Sequence, residues 1–119
     1  MNDARYPWFI LVPQREHVRE ICDLTTTDQH ALMDESSYLA RAMIAAFSPD
    51  KLNIAAIGNI VRQLHVHHIA RYRTDAAWPK PVWGLFAPAA YTEATREDVA
   101  ARLLTVLNSQ KTGFRALTR

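Results

Sequence analysis

Gly58-Asn59-Ile60-Val61-Arg62-Gln63-Leu64-His65-Val66-His67-His68-Ile69-Ala70-Arg71 is the stretch whose reading decides the fold. Its second half alternates polar and apolar residues, as a strand with one buried face does. On such a strand Gln63, His65 and His67 share one face. Leu64, Val66 and, less comfortably, His68 share the other. An amide and two imidazoles then stand in a row, with alternate Cα atoms roughly 6.5–7 Å apart. Gly58-Asn59 reads as the turn leading in.

This row suits chemistry at phosphorus. Part of an imidazole population is unprotonated at neutral pH and can attack. It then leaves readily, splitting one hard displacement into two easier ones. A second imidazole can donate to phosphate oxygens or help the leaving group. A glycine turn lets backbone N–H groups approach the phosphate. Two other readings stand beside this one. The alternation is also what any half-exposed strand shows. His-x-His can also supply two metal ligands, although His17, His30, Asp75 and Cys22 offer no recognisable spacing for a third.

Working outward, Leu52 to Ile57 reads as a strand paired with Gln63 to Tyr72 as a hairpin. Trp8-Phe9-Ile10-Leu11-Val12, between Pro7 and Pro13, reads as a buried strand. Val18, Ile21 and Leu24 are spaced for a short helical face over Gln14 to Asp23. Thr25-Thr26-Thr27-Asp28 is a helix start. From about Asp28 to Phe47, the residues Leu32, Ser36, Leu39, Met43 and Phe47 form one stripe, suited to core or dimer contact. The span 76–90, with three of the six prolines, reads as an ordered irregular arm. A final helix spans about 95–111, starting near Thr95 with Asp98 in a capping-box position and an apolar face of Val99, Leu103 and Val106. Residues 111–119 read as frayed. Strand, helices, hairpin, arm and helix make an α+β domain with an antiparallel sheet.

The chain has 119 residues, enough for one domain with a modest core. A net charge of +2 without a Lys/Arg run argues against nucleic acid. The single cysteine excludes an internal disulfide, and a reducing compartment is expected. No apolar run is long enough to span a membrane, and no signal-like region follows the N-terminus. A cytoplasmic protein is expected.

Gln63-Leu64-His65-Val66-His67-His68-Ile69 resembles the histidine triad (HIT) motif, His-φ-His-φ-His-φ-φ with φ apolar. Phe9-Ile10-Leu11-Val12-Pro13-Gln14-Arg15 resembles that family's strand ending in Pro and basic residues. Trp78-Pro79 and Trp83-Gly84 resemble the arm after the motif in some branches. The resemblance covers roughly residues 6–84. It implies a HIT-like α+β fold over 1–119, usually homodimeric. It also implies a nucleotide-binding hydrolase or transferase acting on dinucleoside polyphosphates, phosphoramidates or nucleotide sugars. His65 takes the nucleophile's place and His67 that of the residue at the phosphate and leaving group. Gly58, Asn59 and Asn53 fall among the nucleotide contacts, and Trp83 is a candidate to close over a base. No cofactor is implied for the covalent step, though Mg²⁺ can accompany a polyphosphate. A binding module without turnover is the alternative.

The chain departs from the motif in several places. Gln63 replaces the first histidine, and an amide cannot carry a proton. Ile60 stands where many members have Ser or Thr, and Glu16 where a histidine is frequent unless His17 shifts by one. His68 occupies an apolar position, as a surface or satisfied core histidine. Only seven residues precede Trp8, where the family usually has another strand or two. This implies an internal start or a trimmed branch, and an incompletely paired edge beside Trp8 to Val12. Arg5, Arg15 and Arg62 are all candidates for phosphate. Trp78 and Trp83 read first as packing residues, Asp75 and Arg71 as a solvated pair, and Cys22 as a buried thiol.

Overall fold

A computed structural model describes residues 1–109. Thr25 opens the long helix: its hydroxyl accepts from the backbone N–H of Asp28 at 3.1 Å, satisfying a donor that has no partner within the helix. Helix α1 runs Thr26–Phe47, starting slightly before the expected Asp28 because the first threonine is the cap. Leu32, Ser36, Leu39, Ala42, Met43 and Phe47 are its buried residues. It stops where Ser48 turns left-handed, φ 46°, and returns its N–H to the Ile44 carbonyl.

Strands β1 (Trp8–Leu11), β2 (Lys51–Ala55) and β3 (Val66–Arg71) form an antiparallel sheet in the order β1-β3-β2. β3 lies in the middle and is buried along its whole length. The register sets His67 opposite Ile10 on one side and Ala55 on the other, and Ile69 opposite Trp8 and Asn53. Paired residues share a face, so the sheet sorts its side chains in two. Val66, His68, Ala70, Phe9, Leu11 and Leu52 face α1. Leu39, Met43 and Phe47 pack in the same core cluster as Val66 and Ala70. His67, Ile69 and Arg71 face the arm, where Tyr6, Trp8, Ala77 and Val82 close a second cluster with Trp83 against it. The irregular arm thus covers the face that a second layer of helices would otherwise cover.

Several expected boundaries shift. β3 begins at Val66, not Gln63, because the Leu64 N–H bonds the Val18 carbonyl rather than β1. β2 ends at Ala55, short of Ile57. The short helical face over 14–23 reduces to one 3₁₀ turn, Ile21–Asp23; His17, at φ 60°, breaks the path before it, and Ile21 is left exposed. Cys22 is exposed as well, not a buried thiol, since the turn points it away from the core.

Helix α2 covers Glu93–Asn108. Its cap is Thr92, which accepts from the Thr95 N–H at 3.2 Å, so Thr95 is the capped residue and not the start. Leu103 and Leu107 pack into the α1 core, with Val99 and Val106 only partly buried. The expected fraying of 111–119 and the expected helix end at 111 lie outside the described residues. Among the described residues no strand pairs with the outer edge of β1, and no helix is long and apolar enough to cross a membrane.

Candidate active site

Parity along β3 presents His67 to the arm side, flanked by Ile10 and Ala55. His65 lies just ahead of the strand, yet the two imidazoles still meet, with ring centroids 5.0 Å apart and planes at 72°. The shared row therefore survives at His65 and His67, although Gln63 and His65 stand outside the strand.

The hydrogen-bond network assigns both tautomers. Nδ1 of His65 lies 2.7 Å from the backbone carbonyl of Gln63. A carbonyl only accepts, so Nδ1 carries a proton, and in the neutral ring Nε2 holds the lone pair. Nδ1 of His67 accepts from the indole N–H of Trp8 at 2.9 Å. Its neutral ring therefore carries the proton on Nε2. Burial, and then the neighbouring His65, the N-terminal ammonium and His68, push the pKa of His67 down to about 4. The rings of Trp8 and Trp83 both stand edge-on to His67, each with its centroid 5.6 Å from the imidazole centroid. With both rings neutral, the pair offers one nucleophilic nitrogen and one N–H donor.

The Gln63 side chain has a different task. Its amide donates to the Arg15 carbonyl at 3.0 Å and clips the approach to β3 onto the loop after β1. A cavity of about 260 Å³ opens beside it, lined among others by Arg19, Glu20, Gly58, Arg62, Gln63 and His65. Gly58 adopts φ 64°, a conformation costly for other residues, and shapes the turn at its rim. Asn59 is exposed on that turn, and Ile60 beside it is 95% exposed.

The remaining nucleotide-contact candidates lie apart from this cavity. Asn53 shares the sheet face of His67, but its Oδ1 accepts from Arg71 at 2.6 Å, which leaves its amide N–H groups for any ligand. Trp83 packs behind His67 and Trp8, with its indole N–H buried and unpartnered.

Arg71 and Asp75 are not solvated as expected. They pair at 2.8 Å with side chains 1% and 5% exposed. Arg71 also donates to the Lys80 carbonyl and lies between the rings of Tyr6 and Trp78, so protein groups replace its water. Burial alone would raise the Asp75 carboxyl. The Arg71 guanidinium and the N–H groups of Tyr72 and Trp78 outweigh it and hold the pKa below the usual carboxylate range. His68 is a satisfied core histidine: Nδ1 meets the Val66 carbonyl at 3.2 Å and Nε2 meets the Ser36 hydroxyl at 2.7 Å.

The structure also sorts the arginines. Arg15 pairs with Asp28 at 2.7 Å and Arg5 with Asp3 at 2.6 Å. Arg62 lines the cavity with no ion-pair partner among the described residues, and so does Arg19, which sequence reasoning passed over. Trp8 was read only as strand filler. Its role depends on the register between β1 and β3, which local patterning does not carry. Among the described residues, no group of three or more His, Cys, Asp or Glu is gathered in a way that could hold a metal ion.

The HIT domain model matches residues 1–74. A histidine triad protein from Sinorhizobium meliloti is 47% identical, with 88% of this chain and 78% of that one covered and a TM-score of 0.85. One from Marinobacter aquaeolei is 48% identical, covering 93% and 81%, with a TM-score of 0.87. One from Bradyrhizobium japonicum is 48% identical, covering 88% and 78%, with a TM-score of 0.85. No curated protein matches the chain.

Proposed function

The chain belongs to the histidine triad (HIT) family, generally nucleotide-binding hydrolases and transferases, and on that premise we propose that it cleaves a nucleotide substrate at the α-phosphorus through a nucleotidyl-His65 intermediate. The observation that carries the reading is the tautomer pair. The Gln63 carbonyl places the proton of a neutral His65 on Nδ1 and so its lone pair on Nε2, beside a neutral His67 whose Nε2–H offers a donor.

In the first step the Nε2 lone pair of His65 forms a bond to phosphorus, and the bond from phosphorus to the leaving group breaks. The Nε2–H of His67 donates to a phosphoryl oxygen as charge builds there. In the second step water forms a bond to phosphorus and gives up a proton to solvent, the P–N bond breaks with its electron pair returning to Nε2, and a nucleoside monophosphate departs. Backbone N–H groups at Gly58 and Asn59 would cradle phosphate. Asn53 would offer its amide N–H to the nucleotide, and Trp83 would border it. Mg²⁺ would come with a polyphosphate as part of the substrate. We place the chain in a branch where Gln occupies the first motif position and acts through its backbone carbonyl, not through a titrating ring. The reading extends to a single domain over 1–119 and, from the family habit and the lone cysteine, to a cytoplasmic homodimer.

A second reading, nucleotide binding without turnover, is favoured by Ile60, an exposed apolar residue on the phosphate turn. Intact-protein mass spectrometry separates the two. The protein is incubated briefly with diadenosine tetraphosphate, quenched under mildly alkaline conditions, and compared with His65→Ala. A nucleotide-sized adduct on the wild type that is absent from the variant is the expected result. Tight nucleotide binding with no adduct and no product would replace catalysis with the binding module.

A further inference from the structure

We propose that the cavity beside His65 is a leaving-group subsite in which Arg19 and Arg62 select substrates whose departing group is an oligophosphate anion over those whose departing group is an amine. This rests on the nucleotidyl-transfer reading above.

Two independent observations converge on it. The first is charge. Of the arginines that could meet phosphate, Arg5 and Arg15 are committed to Asp3 and Asp28. Arg19 and Arg62 remain, lining the same cavity as His65 with no ion pair among the described residues. The Asp23 carboxylate accepts from the backbone N–H groups of Arg19 and Glu20 and acts on the Arg19 guanidinium through space, without forming an ion pair with it. Glu20 lines the cavity too, so two arginines stand against one carboxylate among its lining residues. A cavity of about 260 Å³ with that excess suits a short phosphate chain, and guanidinium forks match phosphate oxygens.

The second observation concerns protons. An amine cannot depart from phosphorus until its nitrogen is protonated, so a phosphoramidate needs an acid at the leaving group. The ring nearest His65 is a poor one. Nδ1 of His67 is occupied by the Trp8 N–H, so an imidazolium can form only by breaking that buried bond. Burial disfavours the same cation. The neutral Nε2–H donates a hydrogen bond but does not give up its proton. An oligophosphate needs no such acid. When the bond to its bridging oxygen breaks, the electron pair stays on that oxygen, and a cation beside it stabilises the charge directly. A site that has cations for the leaving group but lacks a proton for it is matched to the second kind of substrate.

The test compares kcat/KM for diadenosine tetraphosphate and adenosine phosphoramidate in wild type, Arg19→Ala, Arg62→Ala, the double variant and Arg62→Lys. The wild type should favour the tetraphosphate. Each alanine should lower the ratio of the two values by about tenfold, the double variant by more, and lysine should retain part of it as a point charge. Both positions are exposed, and matching melting temperatures would exclude misfolding. A wild type that prefers the phosphoramidate, or a ratio that the arginine variants leave unmoved, overturns the subsite while the His65 adduct still stands. Absence of a His65 adduct from either substrate overturns nucleotidyl transfer itself, and the subsite with it.

Discussion

The indole N–H of Trp8 donates to Nδ1 of His67 across 2.9 Å, and that bond decides which nitrogen of His67 holds its proton. The donor comes from an edge strand and the acceptor from the central one. The state of the site is therefore written into the pairing of β1 with β3.

Acid should unfold the protein through this histidine. His67 is held at about 4 against an ordinary 6.5, so the unfolded chain binds more protons between those values and stability falls as pH drops through that window. The contribution is roughly 2–3 kcal/mol. Urea titrations from pH 7 to 4 should show it, and Trp8→Phe, which frees Nδ1, should shrink the slope. A wild-type slope no steeper than that of the variant would contradict the assigned tautomer.

Gln63→Ala should retain most of the adduct-forming rate, within about tenfold, because the backbone carbonyl that orients His65 remains. The cost should be structural, about 1 kcal/mol for the lost bond to the Arg15 carbonyl. Stopped-flow rates and thermal melts distinguish these effects. A collapse of the chemical rate with stability intact would assign the amide a direct part in the reaction.

Ser36 and His68 form a thermodynamic pair. Ser36→Ala leaves Nε2 of a fully buried imidazole without its donor and should cost about 1–3 kcal/mol. Adding His68→Val, which restores an apolar residue at an apolar motif position, should recover part of the loss. Strictly additive costs in a double-mutant cycle would mean that the two side chains act independently.

Asp75→Ala strands the Arg71 guanidinium, whose side chain is 1% exposed, and should destabilise by about 3–5 kcal/mol. Because the Asp75 carboxyl is held below its ordinary pKa, its contribution is present above the unfolded value and is lost as pH falls through the folded one. Calorimetry of the variant would detect both effects. A loss below 1 kcal/mol would mean that water reaches Arg71.

What the sequence revealed depended on range. The stripe on α1 and the alternation around His65 and His67 are local patterns, and the structure keeps both. The cap at Thr92 was missed because Thr95 and Asp98 imitate the same spacing one turn later. The shortened β3 was missed because Leu64 bonds to Val18, a partner 46 residues away that no local window contains. Burial of Arg71 likewise needs Asn53, Asp75, Lys80, Tyr6 and Trp78 brought together by the fold. Trp8 and Arg19 became visible only through register and through elimination of the paired arginines.

The aromatic arrangement around His67 also has an optical meaning. The Trp8 and Trp83 rings meet edge-on with centroids 5.7 Å apart, and both contact the same imidazole. Indole emission responds to nearby proton donors and to loss of a hydrogen-bonded partner. Two of the chain's three tryptophans therefore sit where protonation of His67 changes their surroundings directly. The protein carries its own fluorescent reporter of the ionisation of that ring, with no label to be introduced.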